Sequence, residues 1–225
     1  MKTGHRFAIA GGFVVLSAVV SALAAPELPD RIVTHWNAAG EPDGTMAKGP
    51  ALVLLPGLSA LSLALFAVLP RIDPLGENVA AFRPSYDWFV VIVAAFFALL
   101  HGGIVAFNLG YEVDVTLLVV GSLAVLFYSL GILLERAEPN WFVGIRTPWT
   151  LSDEAVWNRT HRLGARLFKL TALLAALGLF VPDYAVYFVL VPVLATAVVT
   201  LAYSYYLYER LERGGEPAGD SDSVG

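Results

Sequence analysis

The residues best equipped for chemistry crowd into one stretch. Between Pro139 and Gly164 stand Asn140, Arg146, Trp149, Trp157, His161 and Arg162, and with Trp141 this stretch holds three of the five tryptophans. A guanidinium offers a planar fork of donors suited to carboxylate or phosphate. Arg146 is singled out because Gly144 before it and Pro148 after it make a constrained turn, which predicts a guanidinium aimed inward. His161 is a titratable group or a plain hydrogen-bonding one. The three tryptophans suit an aromatic belt at lipid headgroups, with ligand stacking as the competing reading.

A second cluster, His35, Trp36 and Asn37 with Glu41 and Asp43, has the residue types of a small metal or acid-base site. Its spacing fits no defined ligand pattern, so a histidine hydrogen-bonded within a shaped loop is the plainer reading and no metal is expected. The third candidate is His101, alone in an apolar run beside Gly102 and Gly103. There it could relay protons or bond across a close helix contact.

Several reaction classes drop out. With no cysteine, thiol redox chemistry, thiolate metal sites and iron-sulfur clusters are excluded. No HExxH helix, GxSxG elbow or pair of intramembrane aspartates is present, so neither an enzyme nor a cofactor is expected. The net charge of −5 comes from scattered carboxylates and an acidic tail, which argues against direct nucleic-acid binding.

The elements that must position these residues follow from composition. Of 225 residues 57% are hydrophobic and 15% charged, which leaves too little polar surface to coat a water-soluble globule. Lipid is the expected solvent, and the protein is expected in the cell membrane. A crossing takes about 20 apolar residues, and six stretches approach this, over residues 7–25, 51–69, 88–108, 115–134, 165–181 and 184–208. The fifth is short and begins among Arg166 and Lys169, which must snorkel to the headgroups. The expected fold is all-α, with six transmembrane helices and a short amphipathic helix in the interface. That helix is read from Val156, Thr160, Leu163 and Leu167 on one face and Arg159, Arg162 and Arg166 on another. Thr150 with Asp153 is read as its start.

Cations sort by connection. Lys2, Arg6, Arg71, Arg83, Arg136, Arg146, Arg159, Arg162, Arg166, Lys169, Arg210 and Arg213 make twelve of the fourteen on one side, leaving Arg31 and Lys48 on the other. The positive-inside rule then places both termini in the cytoplasm. The basic start, apolar run and Ala22-Leu23-Ala24 also resemble a cleavable signal peptide, which the mass of the mature protein would reveal. In the outer loop Pro42-Asp43-Gly44 is read as the turn and Trp36 as a headgroup anchor.

The run Asn140-Trp141-Phe142-Val143-Gly144-Ile145-Arg146-Thr147-Pro148-Trp149-Thr150-Leu151-Ser152, followed by Val156-Trp157, Thr160-His161-Arg162 and Gly164, resembles the signature of the SdpI family of membrane immunity proteins. Leu28-Pro29, Ile32, His35-Trp36-Asn37, Gly40, Pro42-Asp43 and Lys48 are similar to the DUF1648 module. Val33 and Ala165 depart from these patterns, standing where a proline and a glycine are expected. The resemblance implies a division into a helical pair with a structured outer loop over 1–70 and a four-helix region with the inner signature loop over 71–209, while 210–225 is expected as a disordered acidic tail because its last dozen residues are rich in Gly, Ser, Pro and acids. It also implies protection from a secreted antimicrobial peptide, with a cytoplasmic repressor as a second partner. The alternative is a small transporter or channel-like protein working through His101.

Overall fold

Val53, Leu61, Val125, Leu173 and Val198 are each more than half exposed, a surface built for a hydrocarbon solvent. In the computed structural model residues 1–215 are described, with side chains through residue 212. The chain runs α1 (Thr3–Ala24), a hairpin of β1 (Arg31–Trp36) and β2 (Pro42–Ala47), α2 (Lys48–Ile72), α3 (Gly76–Ala81), α4 (Arg83–Asn108), α5 (Val115–Arg136), α6 (Pro148–Ser152), α7 (Glu154–Gly178), a 3-10 turn at Pro182–Tyr184, and α8 (Tyr187–Gly215). Among the described residues five helices are long and apolar enough to cross a membrane: α1, α2, α4, α5 and α8 with its preceding turn. The chain is thus a multi-pass membrane protein. The sixth long helix, α7, has 25 residues but carries Arg159, Arg162 and Arg166 in its first half and Lys169 just beyond, and it does not qualify on apolarity. The expected tail lies outside the described residues beyond Gly215; before that, Arg210 to Gly215 continue α8.

The long helices form two groups. α1, α2 and α4 pack together, α7 packs between α5 and α8, and α4 joins α5 across the middle. Gly103 permits that junction, because a Cβ there would collide with Leu118 of α5. The amphipathic segment is no separate element: it is the first half of α7, and Val156 and Thr160 are buried against protein, not lipid. Its helix period is as read; what covers the apolar face is α5 and the loop before α6.

The all-helical expectation needs one amendment, the hairpin. Ile32 and Met46 are cross-strand partners, and Ile32 is buried against Leu28, Ala51 and Val105. The β-branched run Ile32-Val33-Thr34 favours the strand. The reversal lies at residues 37–41, where Asn37 Oδ1 accepts from the backbone N–H groups of Ala39 (2.9 Å) and Glu41 (3.0 Å). Pro42-Asp43-Gly44, expected as the turn, is the start of β2 instead. A proline tolerates a strand's first position, and the bulge around His35 and Gly44 absorbs the irregularity.

α2 contains Pro56 and Pro70, each of which removes the donor that would satisfy the carbonyl four residues earlier. Both orphaned carbonyls are filled from neighbouring helices. Ser21 Oγ of α1 donates to Leu52 O at 2.8 Å, and Tyr86 Oη of α4 donates to Phe66 O at 2.6 Å. His101 Nε2 lies 2.8 Å from Ser21 Oγ, so the serine accepts from the imidazole while donating to the carbonyl. One chain of bonds thus ties α4 to α1 to α2. Ser21→Ala is expected to cost about 1 kcal/mol in unfolding from detergent micelles. Pro56→Ala, which restores the backbone donor, should recover stability in the Ser21→Ala background more than in wild type; equal effects in both would refute this pairing.

Candidate functional site

The arginine-rich stretch folds into a loop pinned at both ends. Two capped helix starts replace the single one expected at Thr150. Thr147 caps α6, its Oγ1 accepting from Thr150 N–H at 3.1 Å, and Asp153 caps α7, accepting from Val156 N–H at 2.8 Å. Thr147 Oγ1 also donates to Ser204 Oγ at 3.1 Å, and Trp149 packs on Tyr205 at 5.1 Å, so α6 is fastened to α8.

Asn140 holds the loop before α6. Its side-chain amide donates to Glu138 O (2.9 Å) and Val143 O (2.8 Å), while Oδ1 accepts from Phe142 N–H (3.0 Å) and Val143 N–H (2.6 Å). All of its hydrogen-bonding capacity is used inside the loop. Two residues that sequence reading passed over brace it from α3 and the turn before it. Asp73 Oδ2 accepts from Trp141 N–H at 3.0 Å, and Asn78 Nδ2 donates to Pro139 O at 2.7 Å.

Trp157 and His161 form the centre. Their rings stack at 3.9 Å, and Trp157 Nε1 donates to Ala137 O at 2.9 Å. Trp157 is therefore no belt residue; it is wholly buried, and the packing of α7 on α5 puts it there. His161 Nε2 accepts from Ile145 N–H at 3.0 Å, which requires that nitrogen to be unprotonated, so Nδ1 carries the proton and donates to Trp157 O at 2.9 Å. Burial pushes the pKa of this histidine down to about 4, against a weaker opposite pull from the Trp157 carbonyl. It precedes the apolar part of α7 and is a neutral strut, not a switch near neutral pH.

Gly144 completes the fit. Its φ is +130°, and a Cβ would strike His161 Nε2. The tight turn seen in the sequence exists, but it turns Arg146 outward: the guanidinium is exposed, because Ile145 and Thr147 on either side take the inward positions. Arg159, Arg162 and Arg166 are exposed as well, and among the described residues none of the four is held in an ion pair. The buried frame, in which Thr160 Oγ1 alone of its side-chain oxygens lacks a partner, thus leaves four cations free at the surface.

The same end contains a polar group that sequence reading missed. Asp87, in the second turn of α4, is wholly buried; Arg83 Nε donates to it at 2.7 Å and Arg6 of α1 stands 3.6 Å away. Arg6 also lies over Trp88, and Arg83 over Phe7 and Tyr86, while Arg136 donates to Ser85 Oγ at 2.9 Å. The available signal was Arg83 four residues before an acid at the start of an apolar run.

At the opposite end His35 Nδ1 meets Asp43 Oδ1 across the hairpin, and Asn37 Nδ2 donates to Glu41 Oε2 at 3.2 Å. These are braces, and among the described residues no three His, Asp or Glu side chains converge as metal ligands. Trp36 packs edge-on against Phe107 at 5.2 Å. Asn108 docks the hairpin on α4, accepting from Val33 N–H at 2.7 Å and donating to Val33 O at 2.9 Å. His35, Trp36 and Asn37 roof a groove between the two helix groups. The structure does not bring them near Arg146, Trp149, Asn140, Trp157, His161 and Arg162, which gather at the other end.

Comparison with known proteins bears out the resemblance read from the sequence. Residues 136–204 match the SdpI/YfhL protein family, and residues 12–60 match a domain of unknown function, DUF1648. The chain is similar to "Immunity protein SdpI" of Bacillus subtilis (strain 168), 25% identical over 199 residues, covering 88% of this chain and 93% of that one. No solved structure matches.

Proposed function

We propose that this chain, with its SdpI/YfhL and DUF1648 segments in one multi-pass protein, is a non-enzymatic immunity protein that protects its cell from a secreted antimicrobial peptide. The observation that carries this reading is the alignment with a protein named for immunity, which runs through hairpin end and arginine end alike. The protein crosses the cell membrane six times, with α7 as the fifth crossing and both termini in the cytoplasm. Two features support that topology. Twelve of the fourteen cations lie at one end, and α7 runs antiparallel along α5, with Gly131 against Ala165 and Lys169 and Gly121 against Leu179. The charge of Lys169, deepest of the four cations, is met by Glu135.

In this topology the hairpin faces outward, where a secreted peptide arrives, and the free cationic face around Arg146 lies in the cytoplasm. That face suits an acidic surface on a cytoplasmic partner, a transcriptional repressor in the reading implied by the resemblance. The transporter alternative loses support because His101 is engaged with Ser21 and serves as a helix tie. Challenging cells with the cognate peptide, with wild type and Arg146→Ala at equal membrane abundance, tests the assignment. Because Arg146 holds nothing in the fold, the variant should keep wild-type stability and lose at least about tenfold in tolerated dose, the effect of about 1.4 kcal/mol. Equal protection removes Arg146 from the mechanism, and protection by neither removes immunity.

A further inference from the structure

A groove of about 630 Å³ opens beneath the hairpin, between α2 and α4 on one side and α5 and α8 on the other. Its walls are apolar, with Leu55, Ile104, Val119, Val189 and Leu190 among them. Along α5 it runs from Val115 to Leu123, eight residues or roughly 12 Å into the membrane. A second hollow of about 320 Å³ adjoins it, sharing Trp36 and Thr116 and bringing Asp114 and Asp183 to the mouth. No lysine or arginine lines either one. The two cations at this end are engaged elsewhere: Arg31 Nε donates to Thr45 Oγ1 at 3.2 Å, and Lys48 Nζ donates to Leu28 O at 2.9 Å. Asp114 and Asp183, which line the second hollow, are exposed and form an acidic rim.

We propose that this groove seats a cationic peptide whose apolar side chains enter between α2 and α8 while its basic residues meet the acidic rim. The inference rests on the immunity reading and gives it a place of contact. Charge complementarity selects this occupant, since an acidic rim attracts a basic peptide and repels the headgroup of an anionic lipid. The depth suits a partner that is itself membrane-active. A groove of this size matches a few bulky side chains and excludes a whole transmembrane helix.

The test uses the full chain in phosphatidylcholine nanodiscs and two fluorescent probes, a Leu/Lys amphipathic peptide and its Leu/Glu counterpart. Wild-type discs should bind the Leu/Lys probe saturably, at least about tenfold tighter than empty discs, and the Leu/Glu probe no better than empty discs do. Val189→Trp and Leu55→Trp fill the groove from opposite walls, and each should remove the saturable component at wild-type thermal stability. Asp114→Asn with Asp183→Asn should weaken it about fivefold at low salt and little at high salt. Undiminished binding to both tryptophan variants overturns the proposal, as does equal binding of the two probes. Mass spectrometry finding a phospholipid retained by wild type and lost from Val189→Trp also overturns it, in favour of a lipid site. Failure here is separable from failure of the immunity reading. A wild type that protects cells while both filled variants protect equally keeps immunity and rejects the groove, whereas a wild type that never protects rejects immunity itself.

Discussion

Gly144→Ala is expected to collapse the buried frame at the arginine end. At φ +130° an L side chain is strained whatever surrounds it, at roughly 1–3 kcal/mol. The new methyl would also strike His161 Nε2 and approach the Trp157 ring at 3.2 Å, so the imidazole must leave the Ile145 N–H it accepts from. A buried amide left unpaired costs a further 1–3 kcal/mol or so. The sum is about 4 kcal/mol, a large share of a typical domain's stability. It should appear as a lowered midpoint of thermal unfolding in detergent. Gly102→Ala is the control, because its Cβ would meet nothing within 4 Å and alanine is the better helix former. Should Gly144→Ala unfold as wild type does, the turn does not have the conformation described.

The second large effect is expected at Asp87. The wholly buried carboxylate is the shared counter-charge of Arg83 and Arg6, whose side chains are 30% and 11% exposed. Asp87→Ala leaves two cations crowded beneath lipid with no acid between them. Removing one partner of a buried pair costs about 3 kcal/mol or more. Because Arg6 belongs to α1 and Arg83 to α4, the damage should appear as a loosening of α1, read by hydrogen exchange in its first two turns and by thermal unfolding. Adding Arg6→Leu to Asp87→Ala should cost less than the two single losses summed, since both act on one charge cluster. Strict additivity would show that Arg6 and Asp87 do not interact. The same contact bears on the signal-peptide reading: cleavage after Ala24 would strip Arg6 from Asp87 and Ser21 from both His101 and Leu52 O.

Much of this was legible in the chain. Five apolar helices follow from hydropathy alone, because a membrane crossing demands a long run of apolar residues with its backbone bonded internally, and both demands are local. The resemblance was legible because Asn140, Gly144, Trp157 and His161 constrain one another across a short stretch, so their order records their contacts. Less legible was the reversal of the hairpin. Pro42-Asp43-Gly44 and Asn37–Gly40 both carry turn chemistry, and the choice between them depends on Ile32 reaching the pocket formed by Leu28, Ala51 and Val105. The direction of Arg146 is hidden in the sequence for a similar reason. Flanking Gly and Pro show that a turn exists, but which side chains point inward depends on the His161 nitrogen and the Ser204 hydroxyl that wait there, on helices 16 and 57 residues further along.

What the sequence by itself determined is the solvent, the apolar helices, the segregation of cations and the kinship of two segments, all properties of residue order over at most a few dozen positions. Only the tertiary structure decided that Trp157 is core and not belt, that Asp87 has two cations, that the carbonyls freed by Pro56 and Pro70 are filled from α1 and α4, and that a groove lies under the hairpin. Each of these depends on which helix packs against which. In a chain whose long helices are apolar in all but one case, that choice is made by a few polar atoms and close contacts far apart in sequence, which no local pattern records.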